Sequence, residues 1–400
     1  MENDLINILF LLISAVLVFF MQAGFAMLEL GFTRAKNAVN IMMKNLMDFA
    51  LGALVFFAIG FAFMFGSDVG GIIGVSGFFD PIGAASAFTG VPSSVFVLFQ
   101  MMLCATSATI VSGAMAERTK FVSYLICSAV MSMIIYPVTG HWIWGGGWLS
   151  GMGFHDLAGS GAVHMVGGIC AFVGAFLVGP RKGKYTKAGK SVAILGHNIP
   201  MSFLGTFILW LGWFGFNCGS AMTLTENAGM IAINNVMASS AGAVSAMIFT
   251  WILFKKPDAS MVCNGVIAGL VSVTASADVI APWAAVLIGA AAGILMTLSV
   301  EFLDKKVKVD DPVGAISVHG VCGLWGVVAA GIFGNGCDFF TQLVGVLAVL
   351  IYVMAAAFLV FGIVKKVIGL RVSESEEIEG LDIHEHNAIA YGNFRLHDDK

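Results

Sequence analysis

Charge is scarce in this chain. Of 400 residues only 24 are acidic and 20 basic, 11% together, where a soluble domain carries roughly 25%. Mean hydropathy is +0.93 and 58% of the residues are hydrophobic, which excludes a soluble globular fold. No basic stretch precedes the first apolar run. That run continues past Gly24 to Leu30, so residues 5–20 read as part of a membrane span and not as a cleaved leader. The seven cysteines make no disulfide framework: six lie in or beside apolar spans, and Cys337 is alone in an outer loop. No HExxH and no acidic partner at ligand spacing is present, so neither a metal nor another cofactor is expected. Nor is there a nucleophile–base pair, which argues against an enzyme. The net charge of −4 points to no nucleic acid, and no nucleic-acid module is visible.

What the chain has instead is apolar length. Hydrophobic runs long enough to cross a bilayer recur throughout. They predict an all-α integral membrane protein with eleven transmembrane helices: 5–30, 38–65, 94–116, 120–143, 157–179, 191–215, 229–254, 259–276, 282–302, 312–333 and 339–364. A β-barrel would show short alternating segments, which are absent here. Residues 1–364 form the membrane domain and 365–400 a polar tail. Assigning loops alternately to two sides puts all 20 basic residues on one of them. That side carries Arg34, Lys36, Lys44, Arg118, Lys120 and Arg181, then Lys182 through Lys308, and finally the tail as far as Arg395 and Lys400. The other side has none, including the long loop 66–93. The positive-inside rule then places the N-terminus outside and the C-terminus in the cytoplasm.

Two histidines sit in apolar spans, and each closes the same local pattern. Asp156-Leu-Ala-Gly159-Ser-Gly-Ala-Val-His164 is matched by Asp311-Pro312-Val-Gly314-Ala-Ile-Ser-Val-His319. An ionisable residue inside a span is costly and suggests function. Spans five and ten run in opposite directions, so the patterns are antiparallel. They predict two inverted five-helix repeats, about 5–179 and 191–333, plus the extra helix 339–364, with the site at the repeat junction. Asp is a favoured N-cap and Pro312 suits a first helical position. Each histidine then lies eight residues along, about 12 Å at 1.5 Å per residue, close to the centre of a hydrocarbon core about 30 Å thick. The bland alternatives are a polar residue bonding a neighbouring helix and a metal ligand. His141, His155, His197, His384, His386 and His397 give the second no support.

Aromatic and hydroxyl residues gather at the outer ends of several spans. Trp142-Ile-Trp144-Gly-Gly-Gly-Trp148 closes span four. Trp142 and Trp148 suit an interfacial belt, while the glycines beside Trp144 leave its indole open to a cation. Phe216 and Ser220 are four apart and share a helix face. Leu98 to Leu103 opens span three, and an apolar ring at a pore mouth can gate by excluding water. Together these residues form an aromatic vestibule above a buried throat, suited to a small cation that sheds its charge before entering. Ammonium fits, because its conjugate base is small and neutral.

The residues resemble the ammonium transporter family (Amt/MEP/Rh), in its Amt branch. The matching stretches are Gly-Ala-Met-Ala-Glu-Arg at 113–118, Gly-Trp-Phe-Gly-Phe-Asn at 212–217, Asp-Pro-Val-Gly-Ala-Ile-Ser-Val-His-Gly at 311–320, and the tail from Gly369 to Asp382. The resemblance implies a homotrimer with one pore per subunit. It implies substrate recruitment at Trp144 and Ser220 with Phe99 beside them, and His164 and His319 as the proton-relaying pore pair. It also implies Phe216 as the inner gate member, with Asp156 and Thr274 in support. The outer gate position, usually Phe, is Leu103 here. The expected activity is transport of ammonium, with methylammonium as an analogue: NH4+ is bound and deprotonated, NH3 crosses, and the proton travels through the histidine pair with net charge movement. The alternatives are an ammonium sensor, which Leu103 alone favours, and a passive NH3 channel. The expected location is the plasma membrane. The acidic tail reads either as a solvated disordered segment or, by the resemblance, as a packed tail that touches the neighbouring subunit and is sometimes read by a PII-type signal protein.

Overall fold

The structure is a computed structural model that describes residues 2–85 and 91–392. Arg395, His397 and Lys400 lie outside the described residues. Among the described residues, ten helical stretches are long and apolar enough to cross a membrane. In chain order they are α1 (Leu5–Phe32), α2 (Ala35–Phe65), α3 (Ser93–Ala114), α4 (Phe121–Gly151), α5 (Ser160–Val178), α6 (Ile199–Gly219) and α7 (Ala228–Phe254). After the shorter apolar helix α8 (Ala259–Val273) come α9 (Pro282–Val307), α10 (Ile316–Phe333) and α11 (Phe339–Val367). The predicted order of eleven apolar elements therefore holds. Among the described residues one strand pair occurs, Asp68–Val69 with Ile73–Gly74, a small hairpin in the loop after α2.

Two boundaries differ for visible reasons. Residues 191–198 do not begin the sixth span. Asn198 caps α6 by accepting from the Met201 N–H, with Pro200 in the first turn. His197, placed in that span by the apolar run, instead bonds the Thr33 carbonyl at 2.7 Å through Nδ1. The eighth span stops at Val273, and residues 157–160 bond carbonyls at and just beyond its end. The Leu157 and Ala158 N–H groups donate to Ala275 and Thr274, and Ser160 Oγ donates to Val271. Lys44, grouped with the loop cations from its sequence position, is fully buried on α2.

α1 packs along α6, α7 against α8 and α9, and α5 against α3 and α11. Backbones approach closely where glycine permits it. A Cβ added to Gly168 on α5 would fall 2.1 Å from the Gly320 nitrogen on α10, and one added to Gly323 on α10 would fall 2.5 Å from the Ser160 carbonyl, so the two histidine-bearing helices cross with no side chains between them at these glycines.

The described part of the tail is packed on the bundle. Lys120 N–H donates to the Leu370 carbonyl and Val372 N–H to that of Arg118. Leu381 N–H donates to Asn37 Oδ1, and Asn40 N–H donates to Asp382 Oδ1. Ser373 and Glu376 form a reciprocal capping box at the start of Glu374–Glu379. These bonds rule out the disordered reading for residues 370–386.

Candidate functional site at the crossing of α5 and α10

The two repeated segments fold alike, though not as continuous helices from their aspartates. Asp156 Oδ1 accepts from Gly159 N–H, and Oδ2 accepts from Gly161 and Ala162, all at 2.9 Å. Asp311 Oδ1 accepts from Val313 and Gly314, and Oδ2 from Ile316 at 2.8 Å. Between carboxylate and helix, Gly159 has φ +108° and Gly314 φ +80°, the left-handed region that glycine enters without strain. Each Asp therefore bridges a glycine turn to reach helix-start N–H groups, and Pro312 lies in that turn, outside the helix. The histidines sit four and three residues into their helices, and the eight-residue depth estimate fails. A wide-turn π segment starts each helix, Ser160–Met165 and Ile316–Val321, a feature common at functional sites.

The histidines meet. Nδ1 of His319 lies 3.2 Å from Nδ1 of His164, and the rings stack at 5.2 Å. One Nδ1 carries the shared hydrogen and the other accepts it. His164 Nε2 is buried and has no hydrogen-bond partner among the described residues, a rarity for a buried polar atom.

Trp213, which sequence reasoning did not single out, stacks on His164 at 5.1 Å with planes 17° apart. Phe216 stacks on the same imidazole at 5.4 Å. The indole N–H of Trp213 donates to Thr274 Oγ at 3.0 Å, and that hydroxyl donates onward to the Leu270 carbonyl. Thr274 thus supports the histidine through Trp213. The signal was available: Trp213, Phe216 and Ser220 fall at i, i+3 and i+7, one helix face.

Outside the pair is a cavity of about 320 Å³, bordered by Trp144, Ser220, Leu103, Gln100, Phe65 and Phe96 among others. Trp144 donates its indole N–H to the Asp156 carbonyl at 2.7 Å, which holds its ring at the wall. Ser220 Oγ donates to the Phe216 carbonyl at 2.8 Å, so its lone pairs are free to accept. Phe99 is fully buried and is not part of this wall; its ring packs on Gly219. Leu103 and Phe216, the expected gate members, are both buried in the main apolar core. Trp142 is not a free belt residue: it bonds the Ile72 carbonyl and packs on Trp148 and Tyr352.

Asp278, whose role the sequence did not suggest, pairs with His155 at 3.0 Å beside the outer cap. Burial lowers the His155 pKa, but the Asp278 hydrogen bond and charge outweigh it, and the net shift is upward. On the basic face, Arg181 bridges Glu117 at 3.0 Å and Asp310 at 2.8 Å, and Arg34 also pairs with Glu117. Burial pushes the Glu117 and Asp310 carboxyls up, yet the guanidinium groups hold both below the usual range. No group of metal-ligating side chains occurs among the described residues.

The chain is similar over nearly its whole length to known proteins. Residues 9–391 match the Ammonium Transporter Family. Ammonium transporter Amt2 of Archaeoglobus fulgidus is 48% identical over 420 aligned positions, covering 97% of this chain and 89% of that protein. Ammonium transporter 1 member 3 of Solanum lycopersicum is 38% identical, covering 97% and 94%. Among solved structures, one described as a Sensor Amt Protein superposes with TM-score 0.93 at 40% identity, covering 96% of this chain and 100% of that one. Candida albicans Mep2 superposes with TM-score 0.87 at 27% identity, covering 94% and 88%. With its motifs, its helix order and its histidine crossing all in place, the chain belongs to the ammonium transporter family.

Proposed function

We propose that this protein carries ammonium across the plasma membrane as NH3 plus a separately conducted proton. The observation that supports this most is the buried Nδ1–Nδ1 contact of 3.2 Å between His164 and His319, with His164 Nε2 left free. NH4+ enters the outer cavity, where the Trp144 face attracts it and Ser220 Oγ accepts one of its N–H groups. Its charge cannot follow it past the apolar throat at Leu103 and Phe216, because desolvating an unpaired ion costs far more than desolvating neutral NH3. NH3 passes along the imidazoles. The proton moves through the shared Nδ1 contact, since an imidazole can accept at one nitrogen and release from the other. The cycle moves net charge.

The same reading has the two histidine segments as equivalent parts of inverted repeats, the basic face in the cytoplasm, and three such chains in a trimer. A PII-type protein is a candidate partner for the packed tail. A sensor role is the second reading, favoured by Leu103 in the place of an aromatic gate and by the likeness to a Sensor Amt Protein. The test is ammonium-evoked current from liposomes holding His164→Ala or His319→Ala protein. Loss of charge transport with the trimer intact supports the relay; wild-type currents in both variants, with K+ still excluded, contradict it.

A further inference from the structure

On α1 and α2, among the described residues, three buried charged side chains take no part in the route above. Glu29 is on α1, and Lys44 and Asp48 are on α2, one turn apart; all three are buried. Charge in a span is costly and marks function by default. Glu29 Oε2 accepts from Ser112 Oγ at 2.9 Å and from Asn45 Nδ2 at 3.2 Å. Lys44 Nζ donates to the Ser112 carbonyl at 3.4 Å and sits over the Tyr124 ring. Asp48 accepts from Ser128 Oγ. A purely structural cluster that ties α1, α2 and α3 together would account for these bonds.

It would not account for the other side of Glu29. That residue also borders a small cavity on the side of His319 away from the outer vestibule. The cavity holds about 20 Å³, and its polar wall is His319, Glu29, Thr109 and Asn264. Such a space fits about one water, which needs two to four polar partners. The wall supplies them. Glu29 Oε1 takes no hydrogen bond from the described residues, while Oε2 takes two, so one carboxylate oxygen is left for the cavity.

We propose that Glu29 accepts the proton that leaves His319, through one water in this cavity, with Lys44 as its counter-ion. The inference rests on the proton-relay reading. An imidazolium N–H bond breaks as the water takes that proton. The water passes another of its protons to the carboxylate, and one carboxyl O–H bond forms. Glu29 then loses the proton to the basic face, within one turn of the end of α1 at Phe32. Charged and titratable groups around it are Lys44 and Asp48 on α2, Tyr124 on α4 and His319 on α10.

The test is current recording on liposomes with wild-type, Glu29→Gln and Glu29→Asp proteins, normalised to folded trimer and repeated across pH. Glu29→Gln is expected to lose current on the order of a hundredfold or more, the scale of a missing general base. Glu29→Asp, one methylene short, should recover part of it and show a shifted pH profile. Wild-type current per trimer in Glu29→Gln overturns the proposal. If Glu29→Gln fails to assemble, Glu29→Asp decides: it keeps the charge balance with Lys44, and an unchanged current and pH profile overturns the proposal. A wild-type protein with no sustained current would instead refute the relay reading itself, which separates the two failures.

Discussion

Asp156→Ala removes the acceptor for three backbone N–H groups at once, those of Gly159, Gly161 and Ala162, each at 2.9 Å. A buried donor left unpaired costs about 1–3 kcal/mol, so three would cost about 3–9 kcal/mol. The nearby outer cavity, which Leu157 and Trp144 border, lets water recover part of this, and about 3–6 kcal/mol is the expected loss. Asp156→Asn keeps one acceptor oxygen and should cost roughly half as much. Function should suffer as well. The Asp156 carbonyl anchors the Trp144 indole, and His164 sits only four residues into the helix that the carboxylate starts, so both the Trp144 ring and the His164 imidazole should lose their fixed places. The assay is thermal unfolding of the purified protein in one detergent, with half-saturation by ammonium on the same samples. The expected melting order is wild type, then Asn, then Ala, with half-saturation rising in that order. An Ala variant with wild-type melting and wild-type half-saturation would refute the cap argument.

Leu103→Phe should add a π-face to the outer cavity, worth about 0.5–2 kcal/mol, or about 2- to 30-fold tighter half-saturation; unchanged half-saturation and maximal current would place residue 103 off the substrate path. Arg181→Ala leaves buried Glu117 and Asp310 without their bridging cation and should destabilise by about 3–5 kcal/mol, read as a lower melting temperature. Because the folded state depresses those two carboxyls, their contribution is present above the ordinary carboxylate range and is lost as pH falls below it; acid unfolding of wild type, compared with Arg181→Ala, checks this. His155 has a raised folded pKa, so its pair with Asp278 contributes below the ordinary histidine value and fades as pH rises through the folded one. Asp278→Asn should therefore flatten melting temperature against pH in that window.

Helix order was readable because apolar length is a property of composition alone, and it needed no knowledge of contacts. Boundaries were lost where polar capping cut into an apolar run, as at Asn198 and at the early stop of α8. The meeting of His164 and His319 was readable from the duplicated Asp–Gly–His pattern, but its geometry was not. Hydropathy cannot show that Gly159 and Gly314 turn the chain before each helix begins. Trp213 escaped because a tryptophan in an apolar span looks like core; only the stacking on His164 and the bond to Thr274 distinguish it. Phe99 and Ser220 show the limit of carrying roles by position. Both fall near the vestibule, yet Ser220 borders the cavity and Phe99 supports the backbone behind it. Lys44 was misplaced for a similar reason: charge counting by loop side cannot tell a surface cation from one buried about two turns into a helix.

The most direct measurement is the current from a solid-supported membrane carrying wild-type liposomes, struck with an ammonium pulse at several lipid-to-protein ratios. The account predicts a transported charge that decays faster as protein density rises, with no response to an equal potassium pulse. A small transient with a decay independent of that ratio would report binding without transport, and NH3 passage with no charge at all would report a passive channel; either would contradict it.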